Sequence, residues 1–250
     1  MLTTYTNFRI VAADLGKSLD RVAKEPQTSR EVDYWNAHIG EVKDIESFLS
    51  DTRLFRFAMK AYGLGDLGYA KGFMRKVLQG GVDDPASMAN RLSDARYKQF
   101  AQAFNFARYG QFATGMPAAR TETVDRFLRL TLEEKAGATN EGVRLALYFQ
   151  RKAADLTSPM QILADPALLK VVQVAFGLPA EMSTSPIDNQ AAMIAKKLDV
   201  ASLKDGKALD VFLKRFSAMY DAKTSSAQAA TPNLLLSATG AAGVSADTLM

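Results

Sequence analysis

The stretch MQILADPALLKVVQVAFGL, residues 160–178, has the pattern of SFLSDTRLFRFAMKAYGL, residues 47–64, earlier in the same chain. Aligned at their aspartates, Leu49, Asp51, Leu54, Ala61, Gly63 and Leu64 fall on Leu163, Asp165, Leu168, Ala175, Gly177 and Leu178, with Tyr62 on Phe176, at a constant offset of 114. Each position has a physical meaning. An Asp at a helix start accepts the orphan amide hydrogens of the first turn, and a Gly just past a helix end takes the left-handed conformation that closes it. Pro166 occupies the first helical position, where its missing N–H is no loss. Both stretches therefore predict a capped amphipathic helix of about three turns.

The likeness continues downstream with small slips. Phe73 to Leu78 correspond to Met193 to Leu198, and RLSDARYKQFAQAFNF corresponds to SLKDGKALDVFLKRFSAMY, so that Leu92, Asp94, Phe100 and Phe104 meet Leu203, Asp205, Phe212 and Phe216. Capped helices of similar length share Asp and Gly by necessity, but here apolar positions agree as well. Residues 45–109 and 159–220 read as two copies of a unit of about three helices; a period near 114 is too long for a short-repeat solenoid. The fold class expected is all-α, a multi-helix bundle of two similar units around a central buried helix, since alternating β-type runs are absent.

The other segments fit around these units. In residues 1–44, the run 6–25 sets Phe8, Val11, Leu15, Leu19 and Val22 along one stripe of a helix that either packs on the body or forms a coiled-coil arm. SREVDYWNAHIG carries the only Trp and the only His, and a lone His38 with no Cys in the chain makes a poor metal site. Residues 110–158 connect the units: Thr121 is expected to cap TVDRFLRLTLEEKAG, and in the next helix six of the seven residues from Val143 to Phe149 are apolar around the full circumference, as a central helix requires. From about residue 222 the texture turns to Ala, Ser, Thr and Gly, so 221–250 reads as a flexible tail, and Leu234, Leu235 and Leu236 within it are candidate docking residues.

Composition excludes several classes of function. The chain is 250 residues long, 48% hydrophobic and 23% charged, enough to bury a substantial core. A formal charge of +4 spread over this length lacks the dense basic face that nucleic acid demands. No apolar run reaches the roughly 20 residues of a membrane span. The opening MLTTYTNFRIVAADLG has no Sec-type signal, which leads us to expect a cytoplasmic protein, or a flagellum-associated one if exported by the flagellar route. GxSxG, HExxH and Gly-rich phosphate loops are absent, so no cofactor, metal or small-molecule ligand is evident. Glu133, Glu134 and Glu141 lie near the central helix, and paired carboxylates could do acid/base work, although Glu141 is also placed to meet Arg144 three residues on. Arg75-Lys76 and Lys196-Lys197 take similar places in the two units and read as solvated faces or an acidic-partner surface.

The phrases DTRLFRFAMKAYGL, YAKGFMRKVLQGGVDDP, SDARYKQFAQAFNFARYG, NEGVRLALYFQRKA and ILADPALLKVVQVAFGLP, in this order, resemble those of a bacterial family of unknown function whose genes tend to lie among flagellar genes. The resemblance spans roughly residues 1–220 and brings no catalytic residues with it. It implies a helical protein concerned with the flagellum: a non-enzymatic adaptor, chaperone or minor structural component with flagellar proteins as partners. The alternative class is a carboxylate-dependent hydrolase, such as a wall-cleaving enzyme using Glu133, Glu134 or Glu141.

Overall fold

A computed structural model describes residues 2–229, and among these every regular element is helical. The chain opens with α1 (Thr4–Ala13), α2 (Leu15–Ala23) and α3 (Pro26–His38), followed by α4 (Ile45–Ser50), α5 (Thr52–Ala61), α6 (Lys71–Gln79), α7 (Met88–Arg91), α8 (Ala95–Ala103) and α9 (Phe106–Tyr109). A hairpin of α10 (Thr121–Thr139) and α11 (Glu141–Ala153) comes next, then α12 (Pro159–Leu163), α13 (Pro166–Phe176), α14 (Ile187–Ala195) and α15 (Gly206–Ala229). Most of these helices are too short to persist alone, so their stability comes from caps and packing.

Both quoted stretches fold as expected. Asp51 Oδ1 accepts the amides of Arg53 and Leu54, each at 2.9 Å, and Asp165 Oδ1 accepts those of Ala167 at 2.9 Å and Leu168 at 3.2 Å. Gly63 and Gly177 close α5 and α13 at φ +71° and +62°, with the amides of Leu64 and Leu178 reaching back to the carbonyls of Met59 and Gln173. The correspondence also extends upstream. The Tyr34 hydroxyl of α3 donates to Asp51 Oδ2, and the Tyr148 hydroxyl of α11 donates to Asp165 Oδ2, each pair 17 residues apart. An arginine lies over each ring, Arg53 over Tyr34 at 4.0 Å and Arg151 over Tyr148 at 4.9 Å. At the other end of each capped helix an arginine donates to a terminal carbonyl: Arg96 to Gly63, and Arg215 to Ala175.

The side chains gather into two cores. The first is aromatic: Trp35 stacks on Phe57 at 4.6 Å, Phe57 on Phe127 at 3.9 Å, and Phe48, Phe55, Phe100 and Phe104 fill the remainder. The second is mostly aliphatic, built from Leu147, Ile162, Val171, Val172, Ile194 and Leu213 around Phe8, Phe149 and Phe216. The chain crosses between them twice. Helix α1 packs on α11 and α15 in the second core, α2 returns to α10, and α10 lies on α5 in the first core while α11 lies on α13 and α15 in the second. The inner stretch from Val143 to Phe149 is buried except at Arg144 and Tyr148, which are half-buried.

Three expectations are corrected. Residues 6–25 do not form one helix: Asp14 leaves helical geometry at φ −136° and accepts the Lys17 amide, starting α2, and the two pieces pack on the body instead of projecting as a coiled-coil arm. Thr121 is the first helical residue of α10, not its cap, and its hydroxyl donates to the Pro117 carbonyl. Helix α15 continues past residue 221 to Ala229, because an established helix adds Ala, Ser and Thr more readily than it nucleates. Leu234, Leu235 and Leu236 lie outside the described residues.

Replacement of Asp51 or Asp165 by Ala removes two amide acceptors and should lower stability by about 0.5–2 kcal/mol at each site. Each change also strands a tyrosine hydroxyl, and Asp165→Ala should be the worse of the two in chemical denaturation, because Tyr148 is more deeply buried than Tyr34. Equal and negligible losses would contradict these helix starts.

Candidate functional site

The α10–α11 hairpin turns on Asn140, whose side-chain oxygen accepts the amides of Gly142 and Val143 and thereby starts α11. Two turns inside α10 lies Glu133, with only 3% of its side chain exposed. Its Oε1 accepts from Arg129 Nε at 3.1 Å and Arg151 Nε at 2.7 Å, and its Oε2 accepts from Arg151 Nη2 at 2.8 Å. The fork of Arg151 thus grips the carboxylate with two parallel hydrogen bonds, the strongest form such a pair takes. Burial alone would lower the pKa of Arg151, but the bond to Glu133 and that carboxylate's charge carry it above the usual guanidinium value.

Beside this clamp a cleft of about 420 Å³ opens where α10 and α11 meet Ala61 at the end of α5 and Gln99 of α8. Arg126, Arg129, Arg151 and Lys152 line it together with the exposed carboxylates of Glu122, Asp125 and Asp155. The Arg126 guanidinium lies 5.0 Å from the centre of the buried Tyr62 ring. Lys152 is half-buried, and burial, followed by the like charge of Arg151, pushes its ammonium pKa down despite Asp165 and Asp155 nearby. Burial, followed by the bond to Asp165, holds Tyr148 neutral well above the ordinary range for a phenol.

The three carboxylates suggested by the sequence are each paired with cations of their own. Glu133 is clamped as described; Glu134 meets Lys60 at 2.7 Å; Glu141 pairs with Arg144, as its spacing predicted. His38 stacks on Tyr34 with ring centres 4.0 Å apart, and its Nδ1 is bonded to the Tyr34 carbonyl oxygen. Among the described residues no group of three His, Asp or Glu side chains could hold a metal. Arg75 is engaged by Glu46, while Lys196 and Lys197 are exposed. Sequence reasoning missed the four cations of the cleft. The i,i+3 spacing of Arg126 and Arg129 and the adjacent Arg151-Lys152 were visible signals, but only the hairpin brings them together.

The three glutamates should respond differently to neutralisation. Glu133→Gln leaves two largely buried guanidinium groups without their counter-charge and should lower unfolding free energy by about 3–5 kcal/mol. Glu134→Gln and Glu141→Gln, each about half exposed, should change it by less than about 1 kcal/mol. A small effect at Glu133 in urea unfolding would show that the clamp is not a structural element.

A family described as a protein of unknown function (DUF1217) matches residues 61–209, a span that includes the whole hairpin and the clamp. The chain is also similar to a protein from Agrobacterium tumefaciens whose X-ray crystal structure was determined in a structural genomics programme. The identity is 42%, the match covers 89% of this chain and 97% of that one, and the TM-score is 0.80. No curated protein matches. With more than half its length matched by the family and a close structural relative over nearly all of it, this chain belongs to the DUF1217 family.

Proposed function

We propose that the protein is a non-enzymatic helical interaction protein of flagellar assembly or motility, acting as an adaptor, chaperone or minor structural component. The observation that carries the non-enzymatic part is the pairing of the carboxylates: Glu133, Glu134 and Glu141 are each neutralised by Arg or Lys, so these three do not present the acid/base pair that a hydrolase would draw from them. Support for the flagellar setting is the resemblance of the chain's phrases to the flagellar-gene family. The body is read as an internally duplicated scaffold, supported by the Tyr–Asp caps and left-handed glycines that recur 114 residues apart. Leu234, Leu235 and Leu236 are read as the docking segment, ordering against a groove of the partner. Its working place is the cytosol, or the flagellum if it is exported.

The test is affinity capture from flagellated cells with three forms: the full chain, a chain ending at Ala229 so that α15 stays whole, and a triple Leu→Ser variant at 234–236. All three should melt within a few degrees of one another, and only the full chain should recover flagellar proteins. Equal recovery by all three would move docking to the helical body; recovery of no flagellar protein by any form would overturn the flagellar reading. Glu134→Gln and Glu141→Gln should leave swimming intact, and loss of motility in either stably folded variant would restore the hydrolase reading.

A further inference from the structure

We propose that the cleft bordered by α8, α10 and α11 binds a small oxyanion, a phosphate ester or a polycarboxylate, through Lys152 and Arg126 with Arg151 behind them. The sheltered part of the cleft holds three cations, Arg129, Arg151 and Lys152, and its buried clamp supplies one carboxylate, Glu133, which both arginines share. Among the described residues Lys152 makes no ion pair. Asp94, Asp155 and Asp165 are felt by it electrostatically, but Asp94 is held by Arg96, Asp165 by two amides and the Tyr148 hydroxyl, and Asp155 is exposed to water.

A half-buried ammonium beside two guanidinium groups has lost much of its hydration without gaining a counter-charge. The acids lining the same cleft, Glu122, Asp125 and Asp155, are exposed and stay hydrated, as does Arg126, so the group with most to gain from a ligand is the half-buried Lys152. Among the described residues Arg126 likewise has no carboxylate in ion-pair range, and its contact with the Tyr62 ring leaves its N–H donors available. A planar fork and a point charge facing a cleft of about 420 Å³ suit an anion with several oxygens.

Titration calorimetry on the full chain at constant ionic strength, with inorganic phosphate and with citrate as separate probes, tests this. Saturable binding of one or both is expected, with preference for phosphate pointing to a phosphate ester and preference for citrate to a polycarboxylate. Lys152→Met and Arg126→Gln should each weaken binding by about tenfold or more, as loss of a hydrogen bond to a charged group does. Lys152→Arg should retain most of it, and Lys197→Gln should bind as the parent. The Lys152 ammonium pKa, followed by NMR, should rise when the anion is added. Arg126 is exposed, so Arg126→Gln remains informative even if Lys152→Met unfolds. Absence of saturable binding by either probe, or parent-like binding by folded Arg126→Gln and Lys152→Met, would overturn the proposal.

Discussion

A carboxylate shut away from water must find its counter-charge within hydrogen-bond reach, and Glu133 finds it partly on its own helix and partly on the next. Arg129 lies one turn back on α10, and Arg151 reaches across from α11. The clamp therefore fixes how the two arms of the hairpin face each other. Helix α10 belongs to the first core through Phe127, and α11 to the second through Val143, Leu147 and Phe149, so the same contact sets the relation of one core to the other. Desolvating such a group offsets much of its attraction to the arginines. What the clamp contributes is register: any arrangement that slides α10 past α11 separates a buried charge from its partners.

The second crossing is tied by a different device. The Thr4 hydroxyl and amide donate to Asp221 in the second half of α15, while the Asn140 side-chain amide donates to the Thr4 oxygen. One small, fully buried threonine thus joins α1, α15 and the cap of the central α11. Tyr5 and Arg9 extend the seam to Asp210. With Phe8 inserted in the second core and Val22 of α2 buried on the other side of the Asp14 break, the N-terminal segment works as a strap across both halves.

Much of the fold was legible because it is written locally. Asp51, Asp165, Gly63 and Gly177 act on amides and dihedral angles within a few residues of themselves, so spacing alone reveals them. The apolar belt from Val143 to Phe149 was equally readable, since burial on all sides leaves no polar face. What escaped depends on neighbours distant in sequence. Nothing near Asp14 says that the stripe from Phe8 to Val22 must serve two cores and so must bend. Nothing near Asp51 or Asp165 announces a tyrosine 17 residues upstream, although once the pairs are known the offset of 114 links Tyr34 with Tyr148 as it links the aspartates. The candidate carboxylates were found, but not all their partners: Lys60 and Arg151 lie far from Glu134 and Glu133 in sequence, whereas Arg144 and Arg129, three and four residues from Glu141 and Glu133, carry a local signal.

The cleft follows the same logic. Its cations come from α10 and the last turn of α11, which form the link between the two capped units, and only Arg151, over the Tyr148 ring, also belongs to the geometry that recurs. A ligand held jointly by Arg126 on α10 and by Arg151 and Lys152 on α11 would bridge the arms that Glu133 already joins. Binding to that closed arrangement and not to an opened one stabilises it in proportion to the logarithm of ligand concentration over Kd. Occupancy of the cleft would then bear directly on the relation of the two cores, because the hairpin that forms the cleft is also the one that carries the chain from the first core to the second.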